Sequence, residues 1–125
     1  MSEQKPFSVG GRLRSFVYAG RGIRVMLQSQ HNAWIHAGAT AGVILAGAAA
    51  GLTSVEWCLI VLATVAVWTA EALNTAFEFL TDVASPTIHP VAEKAKDVAA
   101  GAVLMAAIGA ALVGLLVFGP HLWGG

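Results

Sequence analysis

The sequence predicts an all-α membrane protein: an N-terminal amphipathic helix at the membrane interface followed by three transmembrane helices, in a single membrane domain over residues 1–125. Three observations predict it. The first is composition. Of the 125 residues 57% are hydrophobic and 11% charged, and the mean hydropathy is +0.72. A soluble domain carries about 25% charged residues, and a globule of this size cannot bury so much apolar surface internally. The second is the presence of three stretches that reach the roughly 20 mainly apolar residues needed to cross a bilayer. The third is the one-sided distribution of lysine and arginine around those stretches. The same composition excludes disorder. Seven basic against seven acidic residues leave no positive field for nucleic acid, so none is expected as a partner. The single cysteine, Cys58, forms no internal disulfide.

The first element covers about residues 10–30, where Leu13, Phe16, Val17, Ile23 and Leu27 share one broad helical face while Arg12, Arg14 and Arg21 lie mostly elsewhere. This pattern fits a helix lying in the interface, held by apolar contact and anionic headgroups. Spans are expected near 33–52, 54–80 and 90–118, the last with its first two turns in water. Thr53 and Glu56 read as a capping box that opens the second span. Ser85-Pro86 breaks it, Pro90 suits the first turn of the third, and Gly119-Pro120 is expected to end that one. Trp34, Trp57 and Trp123 sit at span ends as interfacial anchors do. Gly38 and Gly42, and Gly47 and Gly51, have the four-residue spacing that lets helix backbones approach closely. No signal peptide is expected, because the first apolar stretch begins some thirty residues in and no cleavage site of the usual kind follows.

Lys5, Arg12, Arg14, Arg21 and Arg24 precede the first span, and Lys94 and Lys96 lie between the second and third. With three spans these regions share one side, which the positive-inside rule assigns to the cytoplasm. The expected location is therefore the inner cell membrane, multi-pass, with a cytoplasmic N-terminus. Three short spans are too few to enclose a polar site alone, so an oligomer is expected.

Chemistry concentrates at the end of the second span, AEALNTAFEFLTDVASP. Glu71, Asn74, Glu78 and Asp82 fall within about 80° of one another at 100° per residue. The charge-free run from Trp57 to Ala70 covers about 21 Å, so Glu71 is expected at the inner edge of the hydrocarbon, Glu78 at headgroup depth and Asp82 in water. An acid at the edge of hydrocarbon is a functional hypothesis by default. One carboxylate could accept a hydroxyl proton, and Glu78 could hold a hard cation such as Mg2+ through oxygen. Equally, the acids could form structural ion pairs with Lys94, Lys96 or the N-terminal arginines. His31, His36, His89 and His121 show no metal-ligand spacing, and there is no G-x-x-x-x-G-K loop, so any nucleotide must be held by side chains.

Glu71-Ala-Leu-Asn74-Thr-Ala-Phe-Glu78-Phe-Leu-Thr-Asp82, Ser85-Pro86-x-x-His89-Pro90 and Ala95-Lys96-Asp97 resemble the signature of the bacterial diacylglycerol kinase / undecaprenol kinase family. The likeness runs from about Arg12 to Phe118. It implies a homotrimeric membrane lipid kinase with sites between subunits. Such an enzyme transfers the γ-phosphoryl of ATP, with Mg2+, directly to a lipid alcohol, diacylglycerol or undecaprenol. By position it implies Glu71 as general base, Asn74 as its neighbour on the nucleotide side, Glu78 as metal ligand, Lys96 and Asp97 near the nucleotide, and Tyr18 near the adenine. The family's usual glutamate before the first span is replaced here by Gln30, a neutral oxygen ligand. Two other classes compete: a small ion or proton pathway, and a non-catalytic helper subunit whose acids only fix packing. A charged face near one interface rather than across the midplane disfavours the first, and the length of the signature disfavours the second.

Overall fold

The computed structural model describes residues 5–124. It contains four helices: α1 (Val9–Ser29), α2 (His31–Ala50), α3 (Ser54–Ala84) and α4 (Pro90–Trp123). The last three are long and apolar enough to cross a membrane. Only 6–17% of the residues in their most apolar windows are buried within the chain, so side chains such as Leu62, Leu104, Ile108 and Leu116 point outward. That outward face suits lipid or other copies of the chain, not water.

Ser8 caps α1 by accepting a hydrogen bond from the Gly11 amide. One extended residue, Gln30 (φ −120°, ψ 120°), separates α1 from α2. Its N–H closes α1 on Met26 and its carbonyl accepts from Ala33 in α2. The first span therefore starts at His31, two residues before the expected boundary.

The α2–α3 turn is tightly specified. Gly51 ends α2 in the left-handed region (φ 67°, ψ 53°), where a Cβ is penalised. Leu52 turns inward and is buried. Thr53 Oγ1 accepts from the Glu56 amide while a Glu56 carboxylate oxygen accepts from the Thr53 amide, completing the expected capping box. Leu52, Ile60 and Val117 form the apolar core at this end, with Val43, Trp57, Val113 and Phe118 packed against them. Trp57 is partly buried against this core, whereas Trp34 and Trp123 are largely exposed.

α3 is 31 residues long and α4 is 34, roughly 46 and 51 Å at 1.5 Å per residue. Both exceed the roughly 30 Å hydrocarbon layer, so each is long enough to extend beyond it. Their connection runs through Ser85, whose hydroxyl donates to the Thr87 carbonyl, to His89, whose Nδ1 caps the Val91 amide ahead of α4. α3 extends four residues past its expected end, to Ala84.

Gly119-Pro120 does not end α4, contrary to the sequence expectation; the helix continues to Trp123. Pro120 forfeits only its own N–H, while its carbonyl still accepts from Gly124 at 2.7 Å. The extra turn is held by His121, which meets Glu56 of α3 at 2.9 Å. The glycine pairs also divide. A Cβ at Gly38 or Gly42 meets open space within the chain, whereas one at Gly47 would stand 2.6 Å from the Trp57 ring and 3.0 Å from Leu52. Gly47→Ala is therefore expected to lower the thermal midpoint in detergent. The loss is the equivalent of about 1–3 kcal/mol of overpacking, despite alanine's better helix propensity.

Candidate active site

The buried positions of α3 form one stripe: Ile60, Val67, Glu71, Asn74 and Thr75. The spacing is that of a helix face turned toward its neighbours. Along it the chemistry changes from apolar at the capped end to polar at the other. Glu71 is wholly buried, Asn74 and Thr75 nearly so, and Glu78 half-buried one to two turns on.

α2 and its N-cap residue Gln30 supply the partners. Gln30 Nε2 donates to Glu78 Oε2 at 2.7 Å. His36 Nε2 lies 3.3 Å from Glu71 Oε2. Trp68 Nε1 donates to Thr40 Oγ1 at 3.0 Å. Each advance along α2, from 30 to 36 to 40, is matched by a retreat along α3, from 78 to 71 to 68. This is the register of two antiparallel helices with equal rise, set by the turn at Gly51–Thr53. Within α3, Thr75 Oγ1 donates to the Glu71 carbonyl at 2.8 Å, a bond that leaves the Glu71 carboxylate unused.

Two buried oxygens find no partner among the described residues: Glu71 Oε1 and Asn74 Oδ1. Such groups are rare in folded proteins, and each asks for an explanation. No lysine or arginine reaches Glu71 or Glu78 within ion-pair distance among the described residues. The expected structural ion pairing occurs one turn further out. There Lys96 Nζ of α4 meets Asp82 Oδ1 at 2.7 Å, with both groups substantially exposed.

The structure thus brings together Glu71, Asn74, Glu78 and Gln30. Tyr18 stands apart on α1. It borders a groove of about 520 Å³ against α3 that Met26, Thr75 and Phe79 also line, and the Arg21 guanidinium lies 5.5 Å from its ring. Lys96 approaches through Asp82. Asp97 is exposed on α4 without a side-chain hydrogen bond among the described residues, so the structure does not draw it to the others. A second groove, of about 830 Å³, separates α3 from α4; Thr69, Asn74 and Lys94 are its polar lining. Sequence reasoning missed His36, Thr40 and Trp68. The signal was present: when α3 is folded back along α2 at the Gly51–Thr53 turn, Glu71 falls roughly level with His36 and Trp68 roughly level with Thr40.

As metal donors the described residues offer the Glu78 carboxylate and, after a half-turn of its amide, the Gln30 carbonyl. No cluster of three or more His, Cys, Asp or Glu occurs among them. Mg2+ is usually held by one or two carboxylates together with waters and substrate phosphates, not by an all-protein cage. The donor set fits a magnesium ion that arrives on a polyphosphate.

A side chain retained with a buried, unpaired oxygen weakens the fold unless a ligand uses it. Asn74→Leu is accordingly expected to hold or raise the thermal midpoint in detergent. A fall of several degrees would show that Asn74 is structural.

The family model of prokaryotic diacylglycerol kinase matches residues 17–118. The chain is 40% identical over 109 residues to an undecaprenol kinase of Bacillus subtilis, covering 87% of this chain and 89% of that protein. It is 38% identical over 111 residues to a diacylglycerol kinase of Synechocystis, covering 88% of this chain and 63% of that longer protein. With the buried acidic stripe now located on α3, the matched region includes every residue of the site described above, and the chain belongs to the prokaryotic diacylglycerol kinase family, which makes it a lipid kinase.

Proposed function

We propose that this lipid kinase transfers the γ-phosphoryl group of ATP to the hydroxyl of a membrane lipid alcohol, with Glu71 as general base. The observation that carries the reading is the state of Glu71: wholly buried, tied through Oε2 to His36, with Oε1 unpartnered. Burying a carboxylate is costly unless its oxygens are satisfied, so a free one implies a ligand that completes the site. In the proposed step the acceptor O–H proton passes to Glu71 Oε1. The alcohol oxygen then bonds the γ-phosphorus, and the bond to the β–γ bridging oxygen breaks to release ADP. Phosphoryl transfer asks little covalent chemistry of a protein; alignment and charge stabilisation dominate.

Glu78 and Gln30 would hold Mg2+, which when bound supplies neutralisation of the β- and γ-phosphate oxygens. Asn74 and Lys96 would contact the nucleotide phosphates, Asp97 would lie beside them, and Tyr18 would offer an aromatic face to the adenine. Lys96 would have to trade Asp82 for phosphate, an exchange that an exposed ion pair allows. The apolar half of the α3 stripe, Ile60 and Val67, weighs against an ion or proton pathway, because it interrupts polar continuity along the bundle.

The acceptor class is diacylglycerol or undecaprenol, and the Ser85-Pro86-x-x-His89-Pro90 turn favours the polyprenol. The basic residues of α1 and of the start of α4 support an inner-membrane location with α1 at the cytoplasmic interface. Outward apolar faces and the open Gly38–Gly42 surface support a homotrimer.

Two tests follow from these roles. Purified protein in mixed micelles with radiolabelled ATP, Mg2+ and a panel of lipid alcohols names the acceptor. In that assay Glu71→Gln is expected to lower kcat by about 10²–10⁴-fold while oligomer size and thermal midpoint persist; near-normal turnover would refute the base. Gln30→Glu is expected to reduce the Mg2+ concentration needed for half-maximal activity. It is also expected to lower the metal-free thermal midpoint by setting a second carboxylate beside Glu78, with recovery on adding Mg2+. A midpoint indifferent to Mg2+ would remove Gln30 from the metal site.

A further inference from the structure

We infer that His36 is a positioning residue for Glu71. Its Nε2–H holds Oε2 so that Oε1 alone is presented to the acceptor hydroxyl, and the Trp68–Thr40 pair holds the imidazole in turn. The inference rests on the reading of Glu71 as general base and extends it to a residue on a different helix.

The geometry behind it is a closed circuit. An ionised carboxylate accepts hydrogen bonds and donates none, so across the 3.3 Å contact the proton belongs to His36 Nε2. The imidazole meets the Trp68 ring edge to face, with centroids 6.0 Å apart and planes at 67°. Trp68 Nε1 donates to Thr40 Oγ1 at 3.0 Å. Thr40 Oγ1 donates to the His36 carbonyl at 2.7 Å. The chain of contacts thus runs from the imidazole to the indole, to the hydroxyl and back to the histidine's own backbone, fixing the ring against both α2 and α3.

The surroundings offer the imidazole no rival. His36 borders a cavity of about 290 Å³ whose remaining lining is small or apolar apart from Thr40 and Thr64; its α4 wall is Ala107, Ala110, Ala111 and Gly114. Glu71 is the one acid among the described residues that His36 contacts. A carboxyl terminus of a two-methylene side chain left to itself rotates among several positions. Pinning one oxygen from across the helix pair removes that freedom from the reacting oxygen, and misplacing a reacting group by about 1 Å costs on the order of 10²-fold in rate.

The test compares His36→Leu, which removes the donor at similar bulk, with His36→Gln, whose amide N–H can replace it. Both are assayed in mixed micelles with ATP, Mg2+ and the preferred lipid alcohol. His36→Leu is expected to lower kcat by about 10²-fold with KM for ATP within about twofold of wild type, and His36→Gln to recover at least tenfold of that loss. The double variant His36→Leu/Glu71→Gln should be no slower than Glu71→Gln alone, because the histidine acts only through the carboxylate. Wild-type kcat in His36→Leu, equal losses in the Leu and Gln variants, or a further loss in the double variant would each overturn the inference. Should His36→Leu fail to fold, Trp68→Phe keeps an aromatic ring and deletes the indole N–H. A several-fold drop in kcat with unchanged KM for ATP then supports the positioning role, and an unchanged kcat overturns it. The two readings fail separately: an active Glu71→Gln refutes the base, whereas an inactive Glu71→Gln beside a fully active His36→Leu refutes the histidine's role alone.

Discussion

The register of the α2–α3 hairpin is the constraint on which the site depends. It is fixed at the far end of the bundle from the carboxylates. There Gly51 turns the chain through a left-handed backbone, Leu52 plugs the core, and Thr53 and Glu56 cap each other. From that turn two helices of equal rise run back antiparallel, so residues at nearly matched distances from it meet. Gln30 finds Glu78, His36 finds Glu71, and Thr40 finds Trp68. A slip of one residue would rotate each side chain by about 100° around its helix and separate all three pairs together. The apolar cluster of Leu52, Ile60 and Val117 therefore acts as the anchor for chemistry some three turns or more away.

This division of labour explains how so small a chain tolerates a wholly buried glutamate. The capped end supplies close apolar packing, including the Gly47–Trp57 contact. The opposite end carries the polar groups that weaken a fold when left incomplete, Glu71 Oε1 and Asn74 Oδ1. Sites that bind or react are drawn from the less stable parts of a structure, and α3 contains both kinds of segment in one continuous helix. On the proposed reading its length, like that of α4, would carry this stretch to the border between lipid and water, where an alcohol headgroup and a soluble phosphate donor could both arrive.

Most of the architecture was legible because it follows from local chemistry. Hydropathy marked the three spans, Thr53 and Glu56 marked a helix start, and Pro90 another. The α3 face was legible from spacing alone, since Glu71, Asn74 and Glu78 must share a side of any helix. What escaped was non-local. The His36 imidazole has no side-chain partner within α2, so no motif marks it; it becomes visible only after folding α2 back along α3. Pro120 misled because a helix-breaking residue loses its force one turn from a helix end, where His121 and Trp123 add contacts that hold the last turn. The packing of Trp57 against the core was not legible either, because sequence gives its depth and not its direction. Asp97 resembles the family's pattern, yet its side chain is exposed and makes no hydrogen bond among the described residues, so the structure does not draw it to the other acids.

The choice of partners for the two inner acids has a physical logic of its own. An arginine could grip Glu71 through both oxygens, and a lysine would cancel its charge; either would leave a well-held but inert carboxylate. Histidine and glutamine hold one oxygen each through an N–H that need carry no charge. Glu71 thereby keeps one oxygen without a partner, and Glu78 has no lysine or arginine within ion-pair distance among the described residues, as the proposed base and metal ligand would each require. The cation that the chain does supply, Lys96, pairs with Asp82, the exposed acid of the face. There water screens the pair, and the exchange for a phosphate that the proposed role requires would be inexpensive. Arranged in this order, from neutral donors at depth to a labile ion pair at the rim, the stripe has its charges least satisfied where the two substrates would meet.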